Sequence, residues 1–346
     1  CGKGADSDES SQYRSWYSFG NDRDKYESWW GIKILPRLNH ENESCRRFFT
    51  AEDGVGAYYI KQGVAGWRLD VADELSDLFL DEFAESVKRA SDGEAVIIGE
   101  VWENAAEKMS YGKRRRYLRG TQLDSVMNYP FRGGVLGYII QKDAKSFADV
   151  LKSIYSTYPK HVSDCLMNII GTHDTERVLT VLGKQSTETT VGTGSELAAK
   201  RLSECERAAA VKRLMLAASI QYTVYGVPSV YYGDEAGVEG YRDPFCRLPY
   251  PWGREDEQLI AHYKRLGKIR RENSDVLATG EFSVEYADGG VLCYRRSNEN
   301  GEICVISNAD SKAAEYKLKG KWKDLVSGKA YGGKVGAVSA VILRKI

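Results

Sequence analysis

The sequence predicts an α/β fold in which short parallel strands alternate with helices, followed by a small all-β module. Three observations carry this reading. Apolar runs of strand length recur between amphipathic stretches of helical period. Three of those runs, Gly66 to Asp70, Ala95 to Glu100 and Cys165 to Asp174, each end in acidic or His-Asp chemistry. Beyond about residue 276 the pattern changes to short alternating segments punctuated by Gly, Asn and Asp. Parallel strands alternating with helices gather their C-terminal ends on one face, and in a βα-barrel that face carries the active site.

The elements follow in order. Residues 1 to about 42 are polar, irregular and rich in aromatics, and a helix is expected over 43–62. The run Gly66-Trp67-Arg68-Leu69-Asp70-Val71-Ala72-Asp73-Glu74 then reads as a strand passing into a helix over 73–90, whose Leu75, Leu78, Phe79, Phe83 and Val87 share one face. On the strand, alternation puts Gly66, Arg68 and Asp70 on one side and Trp67, Leu69 and Val71 on the other. A cation thus stands beside a carboxylate on a wall otherwise built for burial. Arg68 would hold Asp70 as an anion by Coulomb attraction and hydrogen bonding, as a carboxylate nucleophile requires; the alternative is an ordinary ion pair at a strand end.

Ala95 to Trp102 is the second strand, with Glu100 near its end. The basic stretch Lys113 to Arg119 is expected to be a solvated helix face, and Met127 to Phe131 a strand cut short by Pro130. A helix over about 143–158 leads to the third polar-ended strand and its adjacent His173-Asp174 pair. Thr180 to Ser195, rich in Thr, Ser and Gly, reads as a loop, and the longest helix as Glu196 to about Thr223. Pro228 to Tyr232 is the last parallel strand and Glu255 to Asn273 the last helix. Segments such as Phe282 to Tyr286, Val291 to Arg295 and Ile303 to Ser307 make the antiparallel module.

Composition narrows the function classes. Lys plus Arg and Asp plus Glu number 49 each, and no basic run is interleaved with aromatics, so nucleic acid is not expected as a partner. No apolar run has the length of a membrane span and no secretory signal is visible, so no membrane association is expected. Seven scattered cysteines, odd in number and without metal-type spacing, suit a reducing compartment, and a cytoplasmic location is expected. Two carboxylates on separate strands, an Arg and a His-Asp pair suit cleavage of a glycosidic bond, one carboxylate attacking the sugar and the other protonating the leaving oxygen.

These motifs resemble the α-amylase family of glycoside hydrolases, and within it the neopullulanase, cyclomaltodextrinase and maltogenic amylase group. GWRLDVADE is similar to that family's nucleophile strand, GEVW to its acid/base strand and THD to the strand of its transition-state stabiliser. LPRLN (35–39), DSVMNYPF (124–131) and the segment from Gly226 to Trp252 resemble further family segments in the family's order. The resemblance implies Asp70, Glu100 and Asp174 as catalytic residues, with Arg68, His173, Trp102 and Tyr129 binding substrate, and Trp29 and Trp30 as further aromatic candidates. For each aromatic taken singly, plain packing is the competing role.

The family's Asp-x-x-x-Asn-His motif has no counterpart here, and the first residues are similar to the middle of the small domain that the family inserts after its third barrel strand. The implied architecture is therefore the C-terminal part of a (β/α)8 TIM barrel, about its last five strand-helix units, followed by a small all-β domain. Residues 1–42 would be a remnant of the inserted domain, 43–275 the partial barrel and 276–346 the antiparallel β domain. The implied activity is retaining hydrolysis of α-glucosidic bonds in malto-oligosaccharides, cyclodextrins or pullulan. It is expected to require the N-terminal part of the barrel, supplied by a companion fragment, and dimerisation is a family habit. The competing readings are a catalytically silent fragment or glucan-binding partner on the same fold, and a transglycosylase. No cofactor is required, although family members often bind calcium.

Overall fold

Gly66 decides how the first strand of the sheet can form. A Cβ at this position would lie 2.1 Å from the Val96 carbonyl oxygen, so only glycine lets the two backbones meet there. In the computed structural model, which describes residues 4–5, 8–19 and 26–346, β1 (Gly66–Leu69) pairs in parallel with β2 (Val96–Gly99), and Gly66 stands opposite Val96. Cys1 and part of the segment 1–42 lie outside the described residues.

The chain forms two compact units, residues 1–101 with 105–126, and residues 102–104 with 127–346. In the first unit the expected helix over 43–62 is two helices, α1 (Glu43–Thr50) and α2 (Val55–Lys61). Asn42 caps α1 by accepting from the Cys45 N–H at 3.0 Å, a contact worth about 1 kcal/mol. The break falls where Gly54 folds against Ala51, whose backbone nitrogen would lie 2.9 Å from a Cβ.

Beyond β1 the expected helix over 73–90 is a 3-10 turn (Ala72–Glu74) and then α3 (Asp77–Ala90), capped by Ser76. Phe79, Leu80, Phe83 and Val87 of α3 are buried, and Phe83 meets the Trp67 ring edge-on at 5.8 Å. The basic stretch is no helix face. A hairpin of β3 (Met109–Ser110) and β4 (Lys113–Arg114) leads to Arg115 and Tyr117, both buried. The reversal occurs because these side chains find acidic and carbonyl partners, described below. β5 (Ser125–Val126) completes a three-stranded sheet of order β1-β2-β5.

In the second unit Met127 to Phe131 is not a strand. Asn128 accepts from the Phe131 N–H at 3.2 Å and Pro130 sits in the first turn, so the segment starts α4 (Tyr129–Gln141). Pro130 begins a helix here because an unpaired N–H is no loss in a first turn. α5 (Ala144–Thr157) and α6 (Lys160–Asp164) lead to β6 (Met167–Ile169). The expected loop over 180–195 begins late, since α7 runs Val178–Lys184. The expected long helix is α8 (Gly194–Ala199) and α9 (Glu204–Gln221), separated because Ser203 and Glu206 form a capping box that restarts the helix. β7 (Val227–Ser229) pairs in parallel with β6, and α10 (Glu257–Glu272) and α11 (Ser274–Leu277) follow.

Seven further strands follow. Five of them, β8 (Glu281–Asp288), β9 (Val291–Asn298), β10 (Gly301–Asn308), β12 (Trp322–Asp324) and β14 (Ser339–Lys345), make an antiparallel sheet of order β12-β14-β10-β9-β8. β11 (Ala314–Glu315) and β13 (Lys334–Val335) form a two-stranded ribbon. The sheet is tied to the helices of its unit by Arg296, whose Nη1 donates to the Val224 carbonyl at 3.0 Å and whose Nε donates to that of Gly280 at 3.0 Å. No helix among the described residues is long and apolar enough to cross a membrane.

Candidate active site

The strand alternation that starts at Gly66 stops at Leu69, and the candidate carboxylates lie just past β1 and β2. Asp70 follows β1 and Glu100 follows β2. In parallel register Leu69 stands opposite Gly99, so the two carboxylates emerge at the same edge of one sheet. Arg68 joins them. Its Nη1 donates to Asp70 Oδ1, and its Nη2 lies 3.1 Å from Glu100 Oε2. The two carboxylates differ sharply in setting, with the Asp70 side chain 74% exposed and that of Glu100 5%. The first is open to a reactant, the second withdrawn.

Val71 holds this geometry. Its backbone has φ 38° and ψ 63°, a left-handed conformation that costs a β-branched residue about 1–3 kcal/mol. The turn directs its N–H to Glu100 Oε2 at 2.8 Å, while the Ala72 N–H donates to the Glu100 carbonyl at 3.1 Å. The following residue, Asp73, is gripped on every side. Tyr117 Oη donates to Oδ1 at 2.6 Å, Lys108 Nζ lies 2.8 Å from Oδ2, and Arg115 Nη1 donates to its carbonyl at 3.1 Å. Arg115 Nη2 also donates to the Leu75 carbonyl at 2.6 Å. Burial, with the Asp73 carboxylate beside it, pushes the Tyr117 hydroxyl well above the ordinary phenol range, so it stays a donor. These three side chains over-determine the turn and sustain its strain. The sequence reading missed Arg115 and Tyr117 because it placed Lys113 to Arg119 on a solvated face.

The second unit holds Trp102, Tyr129, His173 and Asp174. Trp102 stacks on Tyr129 with ring centroids 4.1 Å apart and planes 15° apart. Tyr129 is buried, and Trp102 is exposed, leaving the indole accessible to a flat apolar ligand face. His173 Nε2 lies 3.1 Å from Asp174 Oδ2, and Arg247 Nη2 donates to Asp174 Oδ1 at 3.4 Å. Arg247 was not singled out from sequence, although it lies in the quoted segment Gly226 to Trp252. Behind this pair the buried Arg177 donates from Nε to the Cys246 carbonyl at 2.6 Å and from Nη1 to Asp234 Oδ1 at 3.2 Å. Cys246 Sγ in turn donates to the His173 carbonyl at 3.0 Å. Burial pushes the Asp234 carboxyl up to about 7, against the pull of Arg177. Trp29 and Trp30 also stack, at 4.8 Å and 10°, within the first unit.

The arrangement therefore brings Arg68, Asp70 and Glu100 together on one sheet, Trp102 onto Tyr129, and His173 onto Asp174. Among the described residues no three His, Cys, Asp or Glu side chains gather as they would around a metal ion.

Residues 6–275 match the alpha amylase catalytic domain. The chain belongs to the alpha-amylase family. It is 34% identical over 364 residues to an amylopullulanase of Thermoanaerobacter thermohydrosulfuricus, covering 93% of this chain and 23% of that protein. It is 35% identical over 283 residues to a cyclomaltodextrinase of Thermoanaerobacter pseudethanolicus, covering 80% of this chain and 42% of the relative. The chain thus spans less than half the length of these curated relatives. Among solved structures, the type III pullulan hydrolase from Thermococcus kodakarensis superposes with a TM-score of 0.80 at 26% identity, over 97% of this chain and 55% of that one. The fold is the TIM-barrel catalytic fold of the alpha-amylase family, with mixed helices and strands.

Proposed function

We propose that the protein hydrolyses α-glucosidic bonds with retention of configuration. The observation that carries the proposal is the Arg68 guanidinium in contact with both Asp70 and Glu100 at one sheet edge. Two carboxylates that share one guanidinium are compatible with the separation of about 5–5.5 Å used by retaining enzymes. Asp70 attacks the anomeric carbon while Glu100 protonates the leaving glycosidic oxygen. A covalent glycosyl intermediate forms on Asp70 Oδ. Glu100, now a carboxylate, takes a proton from water, which attacks the same carbon and releases Asp70. Asp174 and His173 bind ring hydroxyls and favour the oxocarbenium-like transition state. Trp102 on Tyr129 offers a stacking surface. The substrates are malto-oligosaccharides, cyclodextrins or pullulan, in line with the names of the relatives.

The proposal includes the domain organisation. The five parallel strands β1, β2, β5, β6 and β7 and their helices would be the C-terminal part of the barrel over 43–275, with 1–42 from an inserted domain and 276–346 an all-β domain. The reading places turnover in the cytoplasm, with a homodimer as the assembly and no cofactor required. A second reading, a glucan-binding partner without turnover, is favoured by the 74% exposure of the Asp70 side chain, since catalysis profits from a site closed to water.

One experiment separates the readings. β-Cyclodextrin, maltoheptaose and pullulan are each incubated with the chain, and the anomeric protons of the first products are followed by NMR. Products that appear first as α-anomers support the proposal, and β-anomers overturn it. Binding by calorimetry without products supports the second reading, and longer oligosaccharides assign a transglycosylase.

A further inference from the structure

Cys293 on β9 and Cys304 on β10 lie in the buried face of the C-terminal antiparallel sheet, each with no solvent exposure. In the register of the two strands Cys293 stands opposite Ile306 and Cys304 opposite Arg295, so the cysteines are diagonal neighbours on one face. Their side chains converge until the sulfurs are 3.3 Å apart. Ile306, Trp322, Val335 and Leu343 surround them, with the half-buried Tyr316 and Tyr331 above.

From this geometry we propose that Cys293 and Cys304 are a site of covalent modification, a dithiol that closes into a cross-strand disulfide when it meets a low-molecular-weight disulfide. The chemistry is thiol–disulfide exchange. The Cys293 thiolate attacks one sulfur of R–S–S–R, forming Cys293–S–S–R and releasing R–S⁻. Cys304 then loses its proton and attacks the Cys293 sulfur, closing the protein disulfide and expelling a second R–S⁻. The two thiol protons end on two R–SH, so the protein pair is oxidised and the small disulfide reduced.

One shared interaction assigns the roles. The hydrogen bond shared between the two sulfurs lowers Cys293 below the ordinary thiol range, with the Tyr316 hydroxyl assisting, and raises Cys304. Cys293 is therefore the attacking sulfur and Cys304 the resolving one. Access depends on the cover. The β11–β13 ribbon has only two residue pairs, Ala314 with Val335 and Glu315 with Lys334, and the Tyr331 hydroxyl donates to the Tyr316 carbonyl at 2.7 Å beside it. So short a ribbon opens at low cost, and its opening gates the reaction.

The test needs no glucan activity. The folded chain is equilibrated overnight in glutathione buffers from fully reduced to fully oxidised, quenched in acid, unfolded and alkylated, then mapped by mass spectrometry. The exposed Cys205 serves as the control for accessible thiol chemistry. The expected result is a peptide joining Cys293 to Cys304, lighter by two hydrogens. It is absent from C293A and C304A, and excess reduced glutathione reverses it. Hydrogen exchange of residues 314–335 should keep pace with its formation. The proposal is overturned if both cysteines stay fully alkylatable in the most oxidised buffer while Cys205 is converted, or if Cys293 carries only a stable glutathione adduct.

Discussion

The Val71 N–H donates to Glu100 Oε2 at 2.8 Å, tying the residue after one candidate catalytic carboxylate to the other. The bond exists because Val71 is held left-handed at φ 38° by the contacts that converge on Asp73. Backbone strain and side-chain placement are thus one device, and each can be probed separately.

Asp70→Asn keeps the shape of the side chain and removes the nucleophilic anion. Under the proposed mechanism kcat on cyclodextrin or maltoheptaose should fall by about 10³-fold or more, with the melting temperature nearly unchanged. Glu100→Gln should spare aryl glucosides whose leaving groups need no proton, and impair natural glucans far more. Steady-state kinetics on both substrate types checks this, and equal losses would count against the acid role.

Tyr117→Phe deletes one hydroxyl and leaves the buried ring in place. Asp73 Oδ1 then loses its 2.6 Å donor, and urea unfolding should show a loss of about 1–2 kcal/mol. An unchanged midpoint would mean that Lys108 and Arg115 hold the turn unaided.

Asp234 links stability to pH. Its folded-state value of about 7 lies above the ordinary 3.8, so the folded chain binds the extra proton between those limits. Stability contributed by that proton is present below about pH 4 and is lost as pH rises to about 7, at no more than about 1.4 kcal/mol per pH unit. Asp234→Asn should flatten this part of the stability profile. Melting temperatures of both proteins from pH 4 to 8 check the sign, because the wild type should lose ground to the variant as pH rises.

Arg296 satisfies buried carbonyls of Gly280 and Val224 and lies 4.5 Å over the Tyr225 ring. Arg296→Met leaves those oxygens without donors and should cost about 3 kcal/mol or more in urea unfolding. Arg296→Lys should rescue little, because one ammonium cannot span the positions that a planar fork reaches.

Much of the site was legible in the sequence, for a local reason. The runs that carry Arg68, Asp70, Glu100 and the His173-Asp174 pair are short, apolar and strand-like, and their polar ends announce chemistry. The apolar alternation from 281 to 308 likewise announced the antiparallel sheet. Where the reading failed, a distant partner or a local cap had overridden the pattern. Lys113 to Arg119 looked like a solvated charge run because nothing nearby says that Arg115 and Tyr117 will be buried. Met127 to Phe131 looked like a strand because Pro130 can interrupt a strand as readily as it can begin a helix. Asn128 settles that choice through its cap.

The amino-acid sequence by itself determined the alternation of strands and helices, the family, and the identity of the candidate carboxylates, because these depend on residue type and short spacing. Tertiary structure alone decided that Tyr117 reaches Asp73 across 44 residues and that Arg247 reaches Asp174 across 73. It also decided that Val71 bends left-handed and that two cysteines on neighbouring strands bring their sulfurs together. Such placements follow from which distant surfaces bury each other, and the pattern along the chain carries no record of those partners.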